Sequence, residues 1–163
     1  MKFRNLGASD LRVSEVGIGC NAFNGRIDMA SSKKVIHAAL DAGITFFDTS
    51  DMYGDDYGVA SGSEICLGQT LGARRKDIIL ATKCGRIAKD KFDFSAAGIK
   101  ASCETSLRLL QTDHVDILQA HDIEFEKDLD RVFDETFKAL EDLKRQGKCR
   151  FIGMTGHPIG MLA

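Results

Sequence analysis

Along this chain a short apolar run that reads as a buried strand is followed by an amphipathic helix, and the pair then repeats. Few patterns limit a fold more. The runs end at Asp48, Lys83, His121 and Thr155, spaced 35, 38 and 34 residues apart. Each unit has room for a strand, a returning helix and two turns, so successive strands lie parallel with helices over the sheet. The apolar pattern predicts strands at 16–20, 44–48, 78–83, 115–121 and 151–155.

The intervening segments carry helix signals. The first helix starts near Ser31 or Ser32, repeats Val35, Ile36, Ala39 and Leu40 at helical spacing, and stops at Gly43. In the second, Ser61 and Glu64 have the spacing of a capping box, and the helix runs to about Gly72. Ser95 caps a third helix that reaches Leu110 and turns Ile99, Cys103, Ser106, Leu107 and Leu110 inward. The fourth, 128–146, buries Leu129, Val132, Phe133, Phe137, Leu140 and Leu143 before Gly147 ends it. Ahead of all these, residues 2–14 form a hairpin around Gly7-Ala8-Ser9-Asp10.

A doubly wound sheet would offer a glycine-rich turn after its first strand. Gly17 and Gly19 lie inside the strand instead, with no third glycine at the right offset. The α/β pattern therefore points to a (β/α)8 barrel of the TIM type. Such a barrel takes ~250 residues; this chain has 163 and supplies five strands and four helices. Residues 1–163 are expected to form a single domain, the N-terminal half of a barrel. Its open sheet edges would favour self-association.

Bulk properties exclude several partners. A net charge of −2 and a pI near 6.1 leave no footprint for nucleic acid. No apolar run approaches the ~20 residues of a membrane span, and residues 1–10 are polar, so a cytoplasmic location is expected. Cys20, Cys66, Cys84, Cys103 and Cys149 form no C-x-x-C pair and suit buried, reduced thiols. Cys84, next to Lys83, is the expected exception. Neither these cysteines nor His121-Asp122 have a metal-ligand spacing.

In a barrel, side chains at strand C-termini converge on one mouth. Asp48, Lys83 and His121 end strands, and Tyr53 follows Asp48 by five residues. Taken singly, Asp48 caps a turn, Tyr53 packs, Lys83 marks a strand reaching water and His121 forms a solvated pair with Asp122. Together they form a proton-transfer device. Free tyrosine titrates near ~10, and a neighbouring ammonium favours its phenolate. Lys83 would supply that charge, Asp48 would compensate it, and His121 would orient a substrate oxygen. No side chain carries a hydride, so carbonyl/alcohol redox chemistry here needs a nicotinamide cofactor.

Several stretches resemble the aldo-keto reductases: Gly43-Ile-Thr-Phe-Phe-Asp-Thr-Ser-Asp-Met-Tyr-Gly54, Ser63-Glu64 with Leu67-Gly68, Ala81-Thr82-Lys83, Val115-Asp-Ile-Leu118 leading to His121, and Phe151-Ile-Gly-Met-Thr155. The resemblance spans essentially the whole chain. Within the family, Ala81-Thr-Lys-Cys-Gly-Arg86, Phe92-Asp-Phe-Ser95 and His121-Asp-Ile-Glu-Phe125 are most similar to the sugar-oxidising branch of aldose 1-dehydrogenases and plant-type L-galactose dehydrogenases.

The resemblance implies oxidation of an aldose at C1 to its lactone, with Tyr53, Lys83, Asp48 and His121 catalytic. It implies NAD as cofactor, NADP being possible, held by Asp48, Thr155, Asn21 and Ala22. Family members usually end the fifth strand with Ser-Asn; here Thr155 keeps a hydroxyl and Gly156 has no side chain, with His157 a weaker candidate. Asp55-Asp56-Tyr57 is placed to meet substrate hydroxyls or to stand solvated. The alternative is an inactive fragment that binds a partner chain or regulates a relative.

Overall fold

The computed structural model describes residues 1–55, 58, 60–158 and 160. It opens with an antiparallel hairpin, β1 (Phe3–Asn5) and β2 (Arg12–Ser14). There follow β3 (Gly17–Gly19), α1 (Met29–Asp41), β4 (Phe46–Asp48), α2 (Gly62–Leu71) and β5 (Ile79–Cys84). Next come β6 (Arg86–Ala88), β7 (Lys91–Phe92), α3 (Ala96–Leu110) and β8 (Val115–Ala120). The last elements are α4 (Leu129–Arg131), α5 (Lys138–Arg145) and β9 (Cys149–Met154). β3, β4, β5, β8 and β9 form one parallel sheet in that spatial order. Each strand lies beside its predecessor, which is the barrel topology carried through five strands; a doubly wound sheet would reverse direction midway.

Register explains why distant residues meet. Asp48 lies level with Ala81, Ala81 with Ile117, and Ile117 with Phe151. Lys83 stands two residues past that level, and His121 and Thr155 four past it. The ladder continues that far, since His121 N–H donates to Cys84 O and Thr155 N–H to Ala120 O. Side chains alternate along a strand, so even steps keep all four on one face. The other face carries Phe47, Leu80 and Leu118, fully buried against Ile36, Leu67, Ile99 and Leu140 of the helices. On the Lys83 face, Phe46, Ile79, Ile117 and Phe151 are only half-buried.

The hairpin is tied to the N-terminal ends of the strands. Ser14 and Thr45 exchange hydrogen bonds of 3.0 and 2.9 Å. Arg150 reaches Asp10 in the hairpin turn at 3.1 Å and Asp116 in β8 at 3.0 Å. Asp116 Oδ2 also accepts from Leu80 N–H at 2.9 Å and from Arg75 at 3.1 Å. Elsewhere, α2 and α3 touch backbone to backbone at Gly68, where a Cβ would come within 2.1 Å of Leu109 O.

Several expectations shift. α1 begins before Ser31 because Asp28 is its N-cap, accepting from Ser31 N–H at 2.8 Å; Val35 faces solvent. No capping box forms at Ser61. That residue is left-handed (φ 50°) and its hydroxyl donates to Asp51 O, while Glu64 turns into the core to accept from Thr82 Oγ1 at 2.6 Å. The buried Thr82 hydroxyl draws the carboxyl inward. The single helix expected over 128–146 contains a π-helical stretch, Val132–Phe137. Its wider turn rotates the apolar face, so Val132 and Thr136 are buried but Leu129 and Phe133 are exposed. The β6–β7 hairpin escaped the periodicity reading because strands of two or three residues show no period. The strand at 16–20 shrinks to Gly17–Gly19, and Val16 is exposed. No described helix is long and apolar enough to cross a membrane.

Candidate active site

Lys83 is 5 % exposed and uses all three ammonium protons: it donates to Asp48 Oδ2 at 2.7 Å, Thr49 O at 2.8 Å and Tyr53 Oη at 3.1 Å. Burial alone would lower its pKa, but Asp48 and Tyr53 outweigh that and hold it above the ordinary lysine value. The ammonium is thus a fixed positive charge beside a phenol. Asp48 remains part-exposed and Tyr53 half-buried. The Tyr53 loop is pinned by Ser63 N–H on Tyr53 O at 3.1 Å.

His121 is 4 % exposed, with its ring edge-on to Tyr53 at 6.0 Å between centroids. Its Nδ1 lies 2.9 Å from Ser50 Oγ. Ser50 in turn donates to Asp51 Oδ1 at 3.0 Å, and Asp51 Oδ2 accepts from Ser102 of α3 at 2.9 Å. On the other side, Nε2 is 3.6 Å from Asp122 Oδ2, which Arg86 binds at 2.5 Å. The Arg86 guanidinium lies over Phe92 and Phe125, themselves stacked at 4.7 Å. Asp122 is buried and left-handed (φ 55°), its N–H donating to Thr155 Oγ1 at 3.1 Å. The solvated His121-Asp122 pair is therefore not what forms.

The other sequence candidates spread around this mouth. Cys20 N–H donates to Asp48 O at 2.8 Å and so anchors the turn holding Asn21, which is exposed, and Ala22, which is half-buried. Thr155 uses its hydroxyl to hold Asp122. His157 is exposed and pairs with Glu124 at 2.6 Å, which raises its pKa. Asp56 and Tyr57 lie outside the described residues. Asp122, Glu124 and His157 bring ligand-type atoms within 4.8 Å of one another, but Arg86 and the His157–Glu124 pair already engage them.

All five thiols are buried, Cys84 included. Burial pushes Cys103 up to about 12 and Cys149 up to about 11, which keeps them out of nucleophilic chemistry. Sequence reasoning missed Ser50, Asp51, Ser102 and Arg86. For the first two a signal existed, since they sit between Asp48 and Tyr53 in the chain. Ser102 and Arg86 reach the site only through tertiary packing.

A phenol, an ammonium, a carboxylate and an imidazole held this way can move a proton to or from an alcohol oxygen. A model of the aldo/keto reductase family matches residues 15–163. The chain belongs to the aldo/keto reductase family. It is 44 % identical to L-galactose dehydrogenase of Arabidopsis thaliana over 98 % of its own length and 50 % of that protein. It is 38 % identical to 6-dehydroglucose reductase of Novosphingobium aromaticivorans, covering 94 % of this chain and 51 % of that one. Among solved structures it resembles the holo form of an aldo-keto reductase from Bacillus halodurans, with a TM-score of 0.81, 38 % identity, and 96 % and 50 % of the two chains covered. This aldo-keto reductase chain thus spans about half the length of these relatives.

Proposed function

We infer that this mouth is the proton-handling part of an NAD(P)-dependent oxidoreductase site that oxidises L-galactose, or a similar aldose, at C1 to the lactone. The observation that carries the reading is the Lys83 ammonium, 3.1 Å from Tyr53 Oη and 2.7 Å from Asp48. The relatives' sugar-directed names support the substrate class.

The residues fit a nicotinamide nucleotide. Gly19 stands level with Asp48 on the same face, and a Cβ there would meet nothing within 4 Å, so bare backbone flanks the part-exposed carboxylate. Asp48, Thr155, Asn21 and Ala22 would hold the cofactor, whose nicotinamide would accept the hydride from C1; NAD is the expected form and NADP the alternative. Tyr53, as phenolate, takes the proton of the anomeric hydroxyl. Lys83 stabilises that phenolate electrostatically, and Asp48 neutralises Lys83. His121 holds the hydroxyl oxygen in line with Tyr53.

The test is reduction of NAD and NADP by the purified protein with L-galactose, run beside Tyr53→Phe. Turnover in the first and a loss on the order of 10²–10⁴-fold in the second is the expected result. Equal rates in both would overturn the assignment of Tyr53. A second reading, a module that binds a partner chain, draws on the half-buried row Phe46, Ile79, Ile117 and Phe151. Concentration-dependent association with no nucleotide binding would favour it.

A further inference from the structure

We propose that Asp122 determines substrate specificity: its carboxylate accepts the hydroxyl next to the reacting carbon, which in an aldose is the 2-hydroxyl. The assignment rests on the sugar-oxidation reading and deepens it. Two observations carry it.

The first is distance. Asp122 Oδ2 stands 3.6 Å from His121 Nε2, which has no hydrogen bond among the described residues. In a sugar held for oxidation, the C1 oxygen lies ~2.9 Å from Nε2. Vicinal oxygens of a sugar are themselves about a hydrogen bond's length apart, and a hydroxyl meets a carboxylate at ~2.7 Å. Nε2, the C1 oxygen, the C2 oxygen and Oδ2 thus close a four-sided figure whose last side, 3.6 Å, is already in place. Tyr53 takes the proton of the C1 hydroxyl, so Asp122 is left the proton of the neighbouring one. A carboxylate can only accept, and the ring oxygen on the other side of C1 has no proton to give. That singles out the 2-hydroxyl.

The second observation is how the carboxylate is held. Its backbone is left-handed (φ 55°), a region that residues other than glycine enter at some cost. The Thr155 hydroxyl fixes the Asp122 N–H at 3.1 Å, and Thr155 O fixes the Ile123 N–H at 3.1 Å. Arg86 Nη1 donates to Oδ2 at 2.5 Å and is held in turn by Lys89 O, through Nη2 at 2.9 Å, and by the Phe92 and Phe125 rings. Oδ1 has no hydrogen bond among the described residues, because His157, 4.0 Å away, pairs with Glu124 at 2.6 Å instead. The group is rigid and charge-balanced, yet only half used. Anchoring the β6–β7 hairpin accounts for Arg86 but not for an open valency beside the imidazole.

The experiment compares kcat/KM of the purified protein for L-galactose and 2-deoxy-L-galactose with NAD, in the wild type and in Asp122→Gly. Glycine keeps the left-handed backbone and removes the carboxylate. The wild type is expected to favour L-galactose ~10–100-fold, the worth of a hydrogen bond to a charged group, and the variant should lose that factor. Damage to packing slows both sugars alike and cancels from the ratio. Equal values for the two sugars in the wild type overturn the proposal while leaving sugar oxidation standing, and so does a ratio that survives in folded Asp122→Gly. If that variant does not fold, Asp122→Asn decides: with the charge gone from the acceptor the ratio should fall by about half its logarithm, and an unchanged ratio overturns the proposal. If neither sugar is oxidised, the oxidation reading fails and binding takes over. Backbone-amide shifts at Asp122 and Thr155, titrated with each sugar in the presence of NAD, must then show the same preference and its loss in the variant. No binding, or binding without preference, overturns the assignment of Asp122.

Discussion

The two ends of the parallel sheet each hold a buried carboxylate cluster, and they are wired differently. At the N-terminal ends of the strands, Asp116 is closed: Leu80 N–H, Arg75 and Arg150 occupy both its oxygens, and Arg150 goes on to Asp10. At the C-terminal ends Lys83 is equally saturated, but the groups around it are not. Asp48 keeps part of its carboxylate in solvent, and His121 Nε2 has no hydrogen bond among the described residues. A cluster with every valency filled serves cohesion. One with fixed charges and open valencies serves a ligand.

That contrast can be broken at either end. If the mouth works as proposed, Lys83→Met should remove most turnover, on the order of 10²–10⁴-fold, while costing less stability than a change at Asp116. Methionine fills the same volume and Asp48 can lean on solvent, but the buried Thr49 carbonyl is left without its donor at a cost of ~1–3 kcal/mol. Steady-state rates beside a thermal scan check this. Asp116→Ala should do the reverse, costing ~3–5 kcal/mol because it strands Arg75 and the Leu80 amide. Urea titration measures that cost, and the folded fraction should retain the activity of its mouth.

On the helix side of β5, bound to Thr82, lies Glu64, whose carboxyl burial pushes up to about 7, with Oε2 left without a partner. The folded state therefore binds the Glu64 proton more tightly than the unfolded chain does. Its stabilising share is complete below the ordinary value of 4.5 and is lost as pH rises to about 7. Glu64→Gln keeps an acceptor for Thr82 and should abolish this slope, gaining up to ~3 kcal/mol over the wild type above pH ~7. Denaturation midpoints at mildly acidic and mildly basic pH give the comparison. Smallest of all, Asp10→Asn loosens an exposed contact to Arg150 and should cost under ~1 kcal/mol, less at high salt.

The sheet was legible in the sequence because apolar strand runs and helix repeats are local signals. Asp48, Lys83 and His121 could be grouped because apolar strand runs end at them and the strand C-termini of a barrel share one mouth; the register that sets them two and four residues past one level came only with the sheet. Other features depended on partners remote in sequence. Glu64 has the spacing of a helix cap, yet Thr82 takes it into the core. Arg150 binds Asp116, 34 residues before it in the chain, and no local pattern marks that pairing. The π-helical stretch follows from packing around Thr136, whose hydroxyl donates to Phe94 O at 2.5 Å. Ser102 enters the His121 network only because α3 crosses behind the Tyr53 loop.

Gly68 has a consequence for anyone who would redesign the mouth. It is a spacer of zero thickness, for the missing methyl sets how closely α2 lies against α3. α2 also carries Glu64, which grips Thr82, the immediate neighbour of Lys83. Alanine at this position would drive a wedge between the two helices and lift that grip, changing the tuning of Lys83 from the far side of the sheet. Directed-evolution libraries aimed at the visible pocket should leave this hidden position fixed.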